Sequence, residues 1–225
     1  MGKHSDLGLM LLAELKKSFT LRPEELGADA HLSKKGMVFD TEAYEVEGLG
    51  HLCVMRMKAM LGLMKMETAV LAVSEKDVPL FNLDYVSAMG KETQIAELYD
   101  TQLSPWPEEA QAAFLALRER AADLPDAPAQ GKHWYDTILY PCSVHKAGKG
   151  LTEGLDAAAR GYAETFLAQL KSAPACDRAE KAAKIRAFAE TLFAQGGPAV
   201  DTMTKLFGDT VARRVVLKAM YGVKD

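Results

Sequence analysis

Five extended runs separated by connections of only a few residues fill the stretch from Met37 to Leu98, at 37–47, 51–60, 64–73, 79–88 and 92–99. The breaks fall at Gly48 and Gly50, at Gly62, at Ser74-Glu-Lys-Asp77 and at Met89-Gly-Lys91. Connections this short cannot hold the crossover that a parallel pair needs, so successive strands must pair as hairpins into an antiparallel meander. The flanking sequence reads as helix. Ser5 or Asp6 can cap a helix running to about Ser18, with Leu7, Leu11, Leu12 and Leu15 on one face. A short helical turn follows Pro23. After Ser104-Pro-Trp-Pro107 the period is helical from Glu108 to Ala122, Leu124–Lys132 is a loop, and Trp134–Val144 reads as one more strand returning to the sheet. Everything after Thr152 is helical: Leu155–Lys171, Asp177–Ala194, and a terminal pair broken at Gly208, with Asp209 or Thr210 placed to cap the last helix. The order of helix, sheet and helices predicts an α/β fold, a three-layer α/β/α sandwich with a central antiparallel sheet flanked by helices, as a single domain over residues 1–225.

A hydrophobic fraction of 48% is ample for the core of such a sandwich. The net charge is −4 and the 27 Lys and Arg are interleaved with acids, which leaves no electrostatic footprint for nucleic acid. Cys53, Cys142 and Cys176 are odd in number and form no Cys-x-x-Cys pair, which argues against a disulfide framework and for a reducing compartment. Cys142 and His145 are near one another, but two ligand types on one segment do not make a metal site. The N-terminal apolar stretch Leu7–Leu15 is interrupted by Glu14, and nothing approaches the roughly 20 apolar residues of a membrane span. The expectation is a soluble, cytoplasmic protein with neither nucleic acid nor membrane as a partner.

One residue breaks the apolar pattern. Asp84 sits in Val78-Pro-Leu-Phe-Asn-Leu-Asp-Tyr-Val86, which otherwise reads as a strand buried on both faces. A carboxylate there must be paired, protonated or used, because stranding its charge costs on the order of a domain's net stability. The two-residue period puts Leu80, Asn82, Val86 and Ala88 on its face and Phe81, Leu83 and Tyr85 on the other. A loop centred on Lys76 would set Glu67 opposite Tyr85, and a turn centred between Ala88 and Met89 would set Thr93 directly across from Asp84. Glu67, Asp84 and Thr93 are therefore expected to converge, with Lys65 sharing the face of Glu67 and neutralising one carboxylate. Two carboxylates a strand apart raise each other's pKa, and one kept protonated near neutral pH is what a proton donor needs. A purely structural Lys65–Glu67 pair with Asp84 bonded to Thr93 is the competing reading. Met55, Met57, Met60, Met64 and Met66 read first as adaptable core packing, and second as the wall of a pocket for a large flat apolar ligand.

The run from Met66 to Val86, with Pro79-Leu-Phe-Asn-Leu-Asp84 at its heart, resembles the ferredoxin-dependent bilin reductases, which reduce open-chain tetrapyrroles such as biliverdin. Met203–Gly222, with its Phe207-Gly208 break, is similar to the closing helices of that family, and Trp134–Lys146 with the helix containing Tyr162 is similar to its intervening section. The resemblance implies an α/β/α sandwich holding the bilin between the sheet and the C-terminal helices. It implies single electrons from reduced ferredoxin or flavodoxin, no bound cofactor or metal, and protons supplied by the protein. Carried over by position, Asp84 is the proton donor and Glu67 stands where the family has His or Asn beside the bilin. Thr93 and Lys146 fall at propionate contacts, the latter to within about a residue, and Asn82 and Lys65 complete the candidate set. Met55 stands where some members carry a Glu, and Gly196-Gly-Pro198 replaces an Asn-Asp-Lys-Thr segment. The implied function is reduction of a biliverdin-like bilin; a tetrapyrrole carrier on the same fold is the alternative. Lys146, Lys149, Arg213 and Arg214 are candidate contacts for an acidic electron donor.

Overall fold

The structure, a computed structural model, describes residues 6–128 and 131–224. Asp6 caps helix α1 (Leu7–Leu15) by accepting the Leu9 N–H at 2.7 Å; Ser5, the other capping candidate, lies outside the described residues. Leu7, Leu11, Leu12 and Leu15 are buried as the spacing requires. Gly8 is needed there for close approach, since a Cβ at that position would lie 2.3 Å from Val54 Cγ1.

Eight strands form one antiparallel sheet: β1 (Leu21–Pro23), β2 (His31–Lys34), β3 (Met37–Val46), β4 (Gly50–Ala59), β5 (Met64–Val73), β6 (Leu80–Ala88), β7 (Lys91–Tyr99) and β8 (Val144–Lys149). The order is β1-β3-β4-β5-β6-β7-β8, with β2 also paired to β3. The five strands of the meander begin and end within a residue of the sequence expectation. β1 and β2 were not expected, being short, polar additions to the β3 edge, and a 3₁₀ turn (Gly27–Ala30) follows Pro23.

The strand expected at Trp134–Val144 is displaced. Trp134–Thr137 is a 3₁₀ turn, closed by the Asp136 carboxylate accepting the His133 N–H at 2.8 Å, and β8 begins only at Val144. Aromatic composition suggested a strand, but this local closure and Pro141, which has no N–H to donate, prevent a continuous ladder. Only Leu139 bridges to Tyr99.

Helices α2 (Glu108–Arg120), α3 (Thr152–Ser172), α4 (Arg178–Gln195) and α5 (Pro198–Phe207) follow, then α6 (Asp209–Arg213), which continues as a π-helical stretch through Arg214–Met220. Asp177 caps α4 at the Glu180 N–H, 2.9 Å, whereas neither Asp209 nor Thr210 caps α6: Gly208 occupies that position without a side-chain bond. One sheet face buries Leu52, Leu71, Phe81 and Leu83 against α1, α2 and α3, with Phe166 stacked on Phe81 at 4.5 Å. The other buries Cys53, Met55, Met57, Val70 and Leu80 beneath α4, α5 and the terminal helix. The architecture is the three-layer α/β/α sandwich.

Lys181 of α4 is fully buried and spans the layers. Its ammonium donates to the carbonyls of Val78 and Thr101, both at 2.6 Å, and burial pulls its pKa down to about 8. Its three donors are matched by carbonyl and hydroxyl acceptors, which offsets part of the cost of a charge in the interior.

Phe81→Ala should cost about 3–5 kcal/mol, the usual range for truncating a fully buried aromatic. Urea unfolding measures it, and a loss within about 0.5 kcal/mol, the range of surface changes, would contradict the stacked position under α3.

Candidate functional site

Asp84 is partly buried in the middle of β6, with Thr68 of β5 and Ile95 of β7 directly across from it. Two side chains hold its carboxylate: the Thr68 hydroxyl donates to Oδ1 at 2.5 Å and the Asn82 amide donates to Oδ2 at 2.7 Å. The same amide also reaches Glu97 Oε2 at 3.0 Å, which joins the two acids. Glu97 receives in addition the Tyr99 hydroxyl at 2.6 Å, and its Oε1 lies 2.9 Å from His145 Nε2. The result is one connected cluster, Thr68–Asp84–Asn82–Glu97, ending in a phenol and an imidazole. Burial, and then the Glu97 charge, push the Asp84 pKa up to about 6 against the opposing pull of Thr68 and Asn82. Glu97 also draws the His145 pKa upward.

The cluster stands at a boundary. Toward α4 the same face is closed by Tyr99, Phe188 and Tyr221. Toward the β4–β5 and β6–β7 turns, Met64, Met66, Val86, Ala88, Thr93 and Ile95 are only half-buried, so a largely apolar, partly exposed strip of the sheet face runs from Asp84 to the end of the sheet. Tyr135 is half-buried and edge-on to Tyr99, and its hydroxyl is raised to about 12 by burial and by the Glu97 charge. Of the methionines, Met55 and Met57 are core, Met64 and Met66 are partly buried on this face, and Met60 is exposed. A separate recess of about 350 Å3, lined by Glu24, His51, Arg178, Arg186 and Tyr221 among others, lies at the opposite end of β4 and β5 and contains none of the cluster residues.

The expected convergence of Glu67, Asp84 and Thr93 is corrected in two ways. Glu67 does pair with Tyr85, but cross-strand partners share a face, so it takes the face of Tyr85 and points away from Asp84. There it accepts the N–H groups of Leu7 at 3.2 Å and Gly8 at 2.8 Å, holding the start of α1, and burial with the neighbouring Asp6 pushes its pKa up to about 7. Thr93 pairs with Val86 rather than Asp84. The turn is Met89-Gly90, both left-handed (φ 49° and 78°), which moves the register two residues and leaves Thr93 on the correct face but one pair further toward the turn.

Lys65 lies exposed near the end of β5, paired with Ser87 and Lys58; the cation beside Glu67 is Arg56, with Nε 3.8 Å from Oε1. Lys146 projects to the face opposite Asp84, buried, donating to Leu124 O at 3.0 Å and Asp126 Oδ1 at 2.7 Å. Its neighbour His145 takes the place on the Asp84 face. Asn82 is where the period put it. Thr68, Glu97 and Tyr99 were not singled out, and His145 was weighed only as a metal ligand beside Cys142, although the correct turn centre sets Glu97 opposite Asn82. Cys142 packs in the core on the α1–α3 side, away from His145, and among the described residues no cluster of three or more His, Cys, Asp or Glu could hold a metal ion. The four candidate donor contacts are also dispersed: Arg214 pairs with Asp29 at 2.7 Å and Arg213 lies over Phe193, leaving Lys149 exposed on β8.

No family model matches the sequence, and no curated protein matches it. Among solved structures, the crystal structure of selenomethionine-labelled phytochromobilin synthase from tomato in complex with biliverdin superimposes with a TM-score of 0.75 at 14% identity, over 96% of this chain and 81% of that one. The two chains share a fold. The open sheet with helices on both faces is common to this protein and to a biliverdin-bound synthase, at an identity that speaks to architecture only. No helix of the described residues is long and apolar enough to cross a membrane.

Glu97→Gln removes the like charge beside Asp84 and should lower the Asp84 pKa from about 6, leaving the part due to burial. Carboxyl 13C shifts followed against pH measure this; an unmoved midpoint would show that the two acids are not coupled. Glu67→Ala should instead lower the melting temperature by loosening α1, with no change in the Asp84 titration.

Proposed function

We propose that this chain is a divergent member of the ferredoxin-dependent bilin reductases and reduces a biliverdin-like open-chain tetrapyrrole. The observation that carries the reading is Asp84, an acid with a pKa near 6, fixed by two donors at the inner end of a partly exposed apolar strip. A group titrating there is available as a proton donor near neutral pH. The shared fold with a biliverdin-bound synthase supports the ligand class.

Reducing one double bond of a bilin takes two electrons and two protons. In this reading the electrons arrive one at a time from reduced ferredoxin or flavodoxin. Asp84 gives the first proton to the bilin, and His145, whose pKa Glu97 draws upward, stands on the same face 2.9 Å from Glu97 as the source of the second, while Asn82 fixes the two acids by donating to both. Thr93 and the half-buried Met66, Val86 and Ile95 contact the ligand, and Tyr135 faces it from the loop before β8. Glu67 and Lys146, on the far side of the sheet, hold α1 and the Leu124–Asp126 segment and leave the proton path to the Asp84 face. Asn82 serves as the bridge between the acids. Lys65 lies too far toward the sheet end to neutralise either acid of the cluster.

An anaerobic titration with biliverdin should give a saturable change in its visible spectrum, and addition of reduced ferredoxin should then shift or bleach the bound pigment. Asp84→Asn should keep the binding change and lose turnover by about 10²–10⁴-fold, the usual worth of a positioned proton donor. Full turnover in that variant would refute the role of Asp84. Spectral binding with no reduction under any low-potential donor would identify a tetrapyrrole carrier instead, and no binding would remove the bilin reading.

A further inference from the structure

The geometry points to the hairpin end of the sheet as a docking surface for an anionic lipid bilayer, an activity separate from the chemistry at Asp84. Two turns project side by side there, joined by the Met89 N–H donating to Leu63 O at 3.2 Å. They carry four large apolar side chains in solvent: Met60, Leu61, Leu63 and Met89, of which Leu61 is fully exposed and Met89 is 72% exposed. Isolated surface leucines are ordinary, but four contiguous ones at the apex of adjacent turns are not. The backbone gives a second sign. Met60, Leu61 and Met89 all have left-handed φ (51°, 54° and 49°), positions that favour Gly, Asn or Asp. Bulky apolar residues hold these positions at a conformational cost, while no intramolecular packing rewards Leu61.

The exposed charges on the strands and turns at the apex are basic, with the exposed Glu153 opening α3 beyond β8. Lys34, Lys35, Lys58, Lys65, Lys91 and Lys149 are all exposed, and none forms an ion pair among the described residues. Lys58 pairs with Lys65 and Lys91 with Lys149 directly across the ladder, where like charges repel. Lys34, Lys91 and Lys149 lie on the face of Asp84, and Lys58 and Lys65 on the other, so the lysines encircle the apolar tip. The acid in the last two rows of the sheet, Glu92, is buried and takes hydrogen bonds from Tyr85 and Thr152. In a chain of net charge −4 this end is therefore locally basic.

A ring of flexible amines around a convex apolar apex suits a lipid surface: the apolar tips enter the acyl boundary while the lysines reach headgroup phosphates. A protein partner would more typically be met by a flatter patch with Arg, Tyr and Trp at its centre, and lysine is depleted at such interfaces. The half-buried Met64, Met66 and Ala88 begin directly behind the tips, so a docked bilayer would lie at the end of the apolar strip that leads to Asp84. The absence of a spanning helix has no bearing on this contact, which uses only turn residues.

Sedimentation with vesicles of phosphatidylcholine alone, and of phosphatidylcholine mixed with an equal part of phosphatidylglycerol, tests the proposal. The full chain should pellet with the anionic vesicles and not with the neutral ones, and half-molar salt should reduce pelleting severalfold. Leu61→Asp and Lys58→Glu should each weaken it at least fivefold without lowering the melting temperature, since both sites are exposed and each change relieves a local cost. Leu61→Trp should gain a blue-shifted emission on the anionic vesicles. No pelleting on either vesicle, or pelleting indifferent to Leu61→Asp, overturns the proposal; so does retention of an acidic protein through these same residues without lipid binding. A failure of bilin binding leaves these outcomes unaffected.

Discussion

Two hydrogen-bond donors, the Thr68 hydroxyl and the Asn82 amide, make it possible for the Asp84 carboxylate to stand on a sheet face that is apolar on either side of its cluster. They stabilise the charged form of Asp84 while burial and Glu97 oppose it, and the balance leaves the acid near the middle of the range where protons are exchanged in neutral water. The donors stay in place because the strands do. Thr68 is fixed by the β5–β6 register, and Asn82 lies two residues before Asp84 on the same strand. A loop-borne donor would have more freedom than these two positions allow. The same rigidity brings Glu97 and His145 to the cluster from β7 and β8, so three successive ladders set the geometry of one acid.

The meander was legible because its strands are long, its breaks are Gly-rich and its connections too short for any other pairing. The helices after Thr152 were legible by period. The partners of Asp84 were less so, because they depend on where a turn is centred. Reading the β6–β7 turn at Ala88–Met89 rather than Met89–Gly90 kept Thr93 on the right face yet two residues out of register, and it hid the pairing of Glu97 with Asn82. Glu67 was misplaced for a different reason: sequence proximity to Asp84 across the hairpin does not outweigh the alternation of faces. Lys146 was carried over by position to within about a residue, and the alternation of faces along β8 gives the Asp84 side to His145 instead. Asp84 itself needed no register, since a lone acid in an apolar strand announces itself from composition alone.

Fold and sequence part company here in an instructive way. A TM-score of 0.75 at 14% identity means that the course of the chain is shared where most of the residues are not. The sheet and the two covering layers belong to that shared course. The chemistry does not follow, because it depends on a handful of polar groups on one face. Those groups include an acid pair bridged by an amide and closed by an imidazole.

The Met89–Gly90 turn carries more than its two residues suggest. Strand side chains alternate with a period of two, so the parity of this turn decides which set of β7 side chains looks at Asp84. Deleting one residue there, with the rest of β7 sliding to restore its ladder, would present Ala96 and Leu98 where Ile95 and Glu97 now stand. Evolution can therefore lengthen this hairpin only in even steps if the acid pair is to survive, which makes loop length at this turn a marker for sorting active relatives from silent ones.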